Sequence, residues 1–307
     1  MQASTTAVIV IGESLMDVVT ASDGTNEHTG GSPMNVAVGL SRLGVPVELL
    51  TRIGDDARGQ IISNALADDG VRLFPGSITA QGTSTSTATL DTSGAATYEF
   101  DIVWAIDSVV TLPLTPIIHT GSIAAFLEPG ASRLASLLRA VGPSTIITFD
   151  PNIRPSIIGS RDDAKRIVNE ITSLATIVKM SDEDMLWLYG PVSADEGVDR
   201  LLAAGATLAI VTLGASGALL ATATERVTVP GEIVSVIDTI GAGDSFMSAI
   251  ISQIALLLDR EIDARAIIDG TALTAEVLTR IGKFAARCAG ITVSRTGSDP
   301  PVRADLG

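Results

Sequence analysis

The chain has 307 residues, 46% of them hydrophobic and 18% charged, with a formal net charge of −15. Such an apolar fraction excludes a disordered chain, and the charge disfavours nucleic acid and anionic membranes as partners. Cys288 is the single cysteine, so no intrachain disulfide forms and a reducing cytoplasm is the expected location. Mean hydropathy is +0.41, yet runs such as Ala7 to Ile11 and Ile254 to Leu258 fall far short of the ~20 residues a bilayer span needs. The segment Met1-Gln2-Ala3-Ser4-Thr5-Thr6 has no basic region, so no signal peptide is expected.

In chain order, Ala7 to Ile11 reads as a buried strand. Asp17 to Gly30 reads as a short strand pair turning near Asp23-Gly24. Val36 to Leu43 is helical, with Ser32 as its N-cap, Pro33 at the first position and Gly44 at its stop. Val47 to Ile53 is a strand, and Arg58 to Asp69 a helix. Gly82 to Ile106 alternates threonines (Thr83, Thr85, Thr87, Thr89) and predicts a hairpin turning at Ser93-Gly94. Strands follow at Thr145 to Phe149, Thr176 to Met180 and Thr207 to Leu213. Helices are predicted over Asp162 to Leu174, Asp195 to Ala204 and Thr274 to Ala289. The run Ile233 to Ile237 reads as a strand leading into a glycine turn and a further helix from Phe246 to Leu258. Strands alternating with helices predict an α/β fold with a mainly parallel sheet. No linker divides the chain, so one domain over 1–307 is expected. The acidic pairs Asp55-Asp56, Asp68-Asp69 and Asp162-Asp163 are expected on solvated helix faces.

The turn Asp238-Thr239-Ile240-Gly241-Ala242-Gly243-Asp244 carries the most chemistry. Amides at a helix start lack internal partners and suit an anion. Asp244 beside them reads either as a helix cap or as a general base that takes a proton from a hydroxyl. Gly12-Glu13-Ser14-Leu15-Met16-Asp17 follows the first strand, where ligands of parallel sheets bind, and the Asp17 carboxylate can accept two hydroxyls. Gly31 permits close backbone approach, and Asn35 offers both donor and acceptor. Asn152 and Arg154 stand after the strand ending in Asp150, Arg154 with a fork suited to phosphate or carboxylate. Lys179 can reach phosphates. Ser181 and Asp184 open a helix in which Glu183 or Asp184 reads as an aid to Mg²⁺ through water, or as a favourable acidic N-terminus. The absence of G-x-x-x-x-G-K-[ST] excludes a P-loop. Gly12-Glu13-Ser14 lacks the G-x-G-x-x-G of a dinucleotide oxidoreductase. His28 and His119 have no partners at metal-ligand spacing, so no zinc site is expected.

The stretch Asp238 to Asp244 resembles the second signature, D-T-x-G-A-G-D, of the ribokinase-like, or PfkB, carbohydrate kinases. Gly30-Gly31-Ser32-Pro33-Met34-Asn35 with Val36 to Gly44 resembles the first signature, and the likeness runs from Val8 to about Pro300. It implies a ribokinase-like three-layer α/β/α fold with a small β-sheet lid from inserts at about 14–30 and 82–106. It further implies ATP and Mg²⁺, Asp244 as the base, and Gly241, Ala242 and Gly243 as an anion hole. Asp17, Gly31 and Asn35, with Asn152 and Arg154, are the implied sugar contacts. Lys179, Ser181, Thr212, Gly214 and Gly217 fall on the nucleotide side, with adenine on apolar walls near the helix from Thr274. The resemblance is compatible with K⁺ held by Asp238, Ile240 and carbonyls of Val293 to Ser298, and with a homodimer built through the lid. Asp150-Pro151-Asn152-Ile153-Arg154 resembles the fructokinase and 2-keto-3-deoxygluconate kinase branches. Ser181 stands where the family often has Asn. The lid segment has no Arg or Lys, which favours neutral fructose over a sugar acid. Ribose, a nucleoside, or a non-catalytic sugar- or nucleotide-binding role are the alternatives.

Overall fold

The computed structural model describes residues 4–21, 24–90 and 96–307. Its main sheet has nine strands. From edge to edge they are Arg226–Val229, Ala218–Ala221, Leu208–Thr212, Ile177–Ser181, Ile146–Asp150, Ile117–Gly121, Val8–Ile11, Val47–Leu50 and Arg72–Leu73. All neighbours are parallel except the pairs made by Ala218–Ala221, which are antiparallel. Side chains of a strand alternate between faces, and here both faces are covered. Val8 and Val10 join one apolar core with the helices Ser32–Arg42, Ala242–Asp259 and Ala275–Val293. Ile9 and Ile11 join another with Gly130–Ala140, Arg161–Thr172 and Ala194–Ala203. The result is a three-layer α/β/α body.

Ala242–Asp259 is the one helix among the described residues long and apolar enough to cross a membrane. It packs instead against Ser32–Arg42 and Ala275–Val293, with Phe246, Met247, Ile250, Ile251 and Ile254 buried.

A second sheet of four strands runs in the order Gly24–Gly30, Leu15–Ala21, Thr85–Leu90, Ala96–Asp101. Its middle pair is parallel and its outer pairs antiparallel. Both segments expected to form the small sheet do so. The turn expected at Ser93-Gly94, and Asp23 of the other turn, lie outside the described residues.

Several sequence expectations change. Ser32 is the first residue of its helix and not the cap; Gly31 is the cap, with φ at 117°. Val47 to Ile53 is two strands, Val47–Leu50 and Ile53–Gly54, because Thr51 turns to polar partners. Its amide donates to Ser77 Oγ at 3.1 Å and its hydroxyl to Ser14 Oγ at 3.0 Å. Ile233 to Ile237 forms no strand. The chain leaves the sheet after Val229 and bends over the last turn of Ala275–Val293, where Ile237 N donates to Val293 O at 2.8 Å. Ile233, Val236 and Ile237 are exposed there. Asp56 is no bystander on a helix face: it caps the helix Ala57–Asp68. Asp69 pairs with Arg42.

Candidate active site

The strand Val8–Ile11 lies between Val47–Leu50, which follows it in the chain, and Ile117–Gly121 on the other side. The order of strands therefore reverses at this point, and a crevice opens at the carboxyl ends of the reversing strands. Glu13 and Ser14 leave one of those ends, and the turn Ser122–Ala125 leaves the other.

Asp244 faces this crevice. It occupies the third position of Ala242–Asp259, while Gly241 is the cap, left-handed at φ 75°. A side chain on Gly241 would overlap Ser298 as well as strain the backbone. The Asp244 carboxylate, 6% exposed, receives Ser32 Oγ at 2.6 Å and Asn35 Nδ2 at 2.8 Å, with Asn152 Nδ2 at 3.5 Å. Asn152 itself is held at φ 36°, an uncommon conformation for a side chain other than glycine. Ser32 was missed as a partner of Asp244; its place three residues before Asn35, one helical turn away, is the signal that puts both on one face. Ala242, Gly243 and Asp244 have no acceptor within their own helix. The Ala242 amide makes only a long contact, 3.3 Å, to Thr239 O.

Lys179 lies directly under this turn: a Cβ on Gly243 would sit 3.0 Å from its Nζ. Its ammonium donates to Asp150 Oδ2 at 2.8 Å, with both side chains almost wholly buried. Burial pulls the Lys179 ammonium down, but Asp150 outweighs it and holds it above its ordinary value. Burial pushes Asp150 up to about 6 against the pull of Lys179, with the carboxylates of Asp184 and Asp244 adding to the rise. Asp150 Oδ1 is buried without a partner.

Ser181 and Asp184 form a capping box at the start of Asp182–Tyr189. Asp184 Oδ2 accepts Ser181 N at 3.0 Å and Ser181 Oγ at 2.8 Å, and Oδ1 accepts Ile153 N at 2.8 Å. Oδ2 thus closes the helix cap, while Oδ1 holds the loop carrying Asn152 and Arg154. Glu183 is exposed, and no group of three or more metal-ligating side chains occurs among the described residues.

Asp17 lies on the small sheet opposite His28. Burial pushes its carboxyl up, while the Ser86 hydroxyl and the charges of His28 and Arg154 pull it down. Any side chain on Gly30 would overlap the Asp17 carboxylate, and one on Gly31 would overlap the Glu13 carbonyl. Glu13 is buried, and its Oε2 accepts Ala124 N at 3.0 Å. Burial raises it from 4.5 to about 7 against hydrogen bonds from Ser122 and nearby amides, with a contribution from Asp244. Because the folded state binds this proton more readily than the unfolded chain, stability falls as pH rises from 4.5 through about 7. Glu13→Gln is expected to flatten that slope, leaving the share belonging to Asp150. Urea titrations of both proteins at about pH 5 and about pH 8 check it, with an unchanged slope counting against the assignment.

On the remaining side, Thr212 Oγ1 donates to Met180 O at 3.4 Å. Gly214 opens a short 3-10 turn at φ 53°, with open space where its Cβ would lie. Gly217 has a packing reason to be glycine, since a Cβ would overlap Val229 O. Asp238 accepts Ile240 N at 3.0 Å and Gly297 N at 2.8 Å, and these amides hold its carboxyl below the usual range. It thereby ties the glycine turn to the segment 293–298. Ala285 and Ala286 are buried in the core. His119 donates to or accepts from Thr148 at 2.9 Å inside the sheet, and burial, then Lys179, pushes it down to about 3.

A three-layer fold with a carboxylate at a glycine-rich helix start, at the switch point of the sheet, is the frame of an α/β phosphotransferase. The chain belongs to the pfkB family of carbohydrate kinases, whose family model matches residues 5–305. It is 31% identical over 261 residues to a fructokinase of Rhizobium leguminosarum bv. trifolii, covering 81% of this chain and 80% of that protein. It is similar to a fructokinase double mutant from Vibrio cholerae O395 in a form bound to fructose, ADP and a potassium ion. There the TM-score is 0.79 at 25% identity, covering 100% of this chain and 98% of that one. A fructokinase with bound ATP from Xylella fastidiosa gives 0.79 at 25%, covering 95% and 93%.

Proposed function

We propose that this sugar kinase is a fructokinase that transfers the γ-phosphoryl group of ATP to the 6-hydroxyl of D-fructose. The observation that carries the reading is the Asp244 carboxylate, aimed by Ser32 and Asn35 at the first turn of a helix. Asp244 takes the proton of the sugar hydroxyl as its oxygen bonds to phosphorus. The bond from that phosphorus to the bridging oxygen breaks, and ADP leaves. The amides of Gly241, Ala242 and Gly243 receive charge on the transferring group, and Lys179 beneath Gly243 adds a fixed positive charge. Positioning and electrostatics of this kind dominate phosphoryl transfer.

Asp17, Gly31, Asn152 and Arg154 contact the sugar. Asn35 serves both the sugar and the base. The nucleotide lies over Ser181, Thr212, Gly214 and Gly217, with adenine against Ile233, Val236 and Ile237. Mg²⁺, when bound, would supply positive charge to the phosphates while keeping several waters. The carboxylate oxygen that suits it is Asp150 Oδ1, buried and unpartnered, because Asp184 is engaged in the capping box. The carboxylate of Asp238 and the carbonyl of Ile240 suit K⁺ beside the catalytic turn. The small sheet is a lid over the sugar, and its closure excludes water.

At the root of the lid, one cation is withdrawn from any substrate carboxylate, which leaves Arg154 as the cation near the sugar. Arg52 stands at the root of the lid, but its donors go to Gly82 O, Val103 O and Gln81 Oε1. It offers no free fork to a substrate carboxylate. Coupled ADP release with ATP and Mg²⁺ against fructose, 2-keto-3-deoxygluconate, ribose and adenosine tests the reading. Fructose is expected to give the highest kcat/KM. Preference for another acceptor overturns the sugar and leaves the base; silence on all four overturns both.

A further inference from the structure

We propose that Arg52 is a positioning residue for this reaction, clamping both legs of the lid hairpin to the central sheet and so setting how the lid closes on the sugar. The inference rests on the lid role proposed above. Arg52 follows the strand Val47–Leu50, next to the strand that delivers Glu13 and Asp17. It is only 3% exposed, yet forms none of the observed ion pairs. Nη1 donates to Gly82 O and to Val103 O, both at 3.3 Å, and Nη2 to Gln81 Oε1 at 2.6 Å. Gly82 precedes one leg of the hairpin and Val103 follows the other. Ser84 joins the legs to each other, its Oγ accepting Val103 N at 3.1 Å. One planar guanidinium therefore bridges three chain segments, a task a point-charge ammonium cannot duplicate. The acidic charge that offsets its burial, Asp101, is itself on the lid.

The neighbours of Arg52 repeat the theme. Asp56 Oδ2 accepts Thr83 N at 2.8 Å, and Oδ1 accepts Thr83 Oγ1 at 2.7 Å. Gly54 N donates to the same hydroxyl at 3.0 Å. Arg58 pairs with Glu27 on the lid's other hairpin at 2.5 Å, and Thr51 bonds Ser14 at the base of Leu15–Ala21. The segment 51–58 is thus the seat on which both lid hairpins stand. Arg52 is its member that grips both legs of one hairpin at once.

Arg52→Met and Arg52→Lys test the clamp. In the unliganded protein, amide exchange across 83–90 and 96–103 is expected to accelerate ~10-fold or more in Arg52→Met, while Ala242–Asp259 keeps its protection. At saturating ATP the KM for fructose is expected to rise ~10-fold, with the effect on KM exceeding that on kcat and the KM for ATP unmoved. Arg52→Lys is expected to fall between. Unchanged exchange in 83–90 and 96–103, equal acceleration throughout the body, or a matching rise in the KM for ATP overturns the proposal. A wild-type protein inert towards fructose defeats the substrate assignment, while the exchange experiment still decides the clamp.

Discussion

Asp244→Asn is expected to lower kcat by ~10²–10⁴, the range for loss of a general base, with modest loss of sugar binding. The amide is nearly isosteric but takes up no proton from the attacking hydroxyl. It also sets an NH₂ group against a site built from donors, since Ser32 Oγ and Asn35 Nδ2 both point at the carboxylate. Asp244 is not the residue that caps the helix, so the fold should survive with a loss of no more than about 1–3 kcal/mol, the cost of an unsatisfied buried donor. The loss of rate therefore isolates chemistry from structure. Steady-state turnover and calorimetric sugar binding, with Tm as control, make the measurement. Turnover near that of the parent protein, with Tm intact, would falsify the role of Asp244 as base.

Lys179→Met is expected to cost about 3–5 kcal/mol of stability at neutral pH, the usual penalty for removing one partner of a buried pair. The pair lies 2.8 Å apart with almost no solvent contact. Without the ammonium, Asp150 keeps its charge in a dry site that also holds Asp184 and Asp244, both of which already push it up. The sign with pH follows. Lys179 holds Asp150 down to about 6, so its loss raises that carboxyl further, the variant takes up the proton at higher pH than the parent protein, and its deficit should shrink on the acid side. Urea titrations at about pH 8 and about pH 5 measure it, and an equal deficit at both rules out an uncompensated Asp150 as the cause. Asp150→Asn added to Lys179→Met should restore part of the loss, because the buried charge goes with its partner.

Much of the body was legible in the amino-acid pattern. Short apolar runs bounded by Gly and Pro, alternating with helical periodicity, mark parallel strands covered on both faces, and those elements form within a few residues of expectation. Ile233 to Ile237 failed because a β-branched run records a preference for apolar contact but not the presence of a neighbouring strand. It lies past the antiparallel edge, with no ladder to join. Ser32 failed for a subtler reason: Ser is a good cap, yet the helix begins one residue earlier, after Gly31, which leaves Ser32 inside the first turn with its hydroxyl on Asp244. The glycine turn, Asn35 and Asn152 could be singled out because motif and strand end coincide, and the structure brings them together around Asp244. Pairings such as Lys179 with Asp150, or Arg52 with Gly82 and Val103, join residues 29 to 51 positions apart, and local pattern carries no record of them. Ser181 and Asp184 show the reverse: their spacing of three encodes a capping box, and the structure uses it as one.

The parallel pairing of Leu15–Ala21 with Thr85–Leu90 bears on anyone who would exchange sugar preference between relatives. The small sheet is not a cassette. A graft of 82–106 alone would import one hairpin, orphan its parallel partner, and set foreign legs on a seat shaped for others. A chimera that transfers 14–30, 51–58 and 82–106 together moves the whole sheet with its footing, and leaves Asp244 and its helix in the recipient.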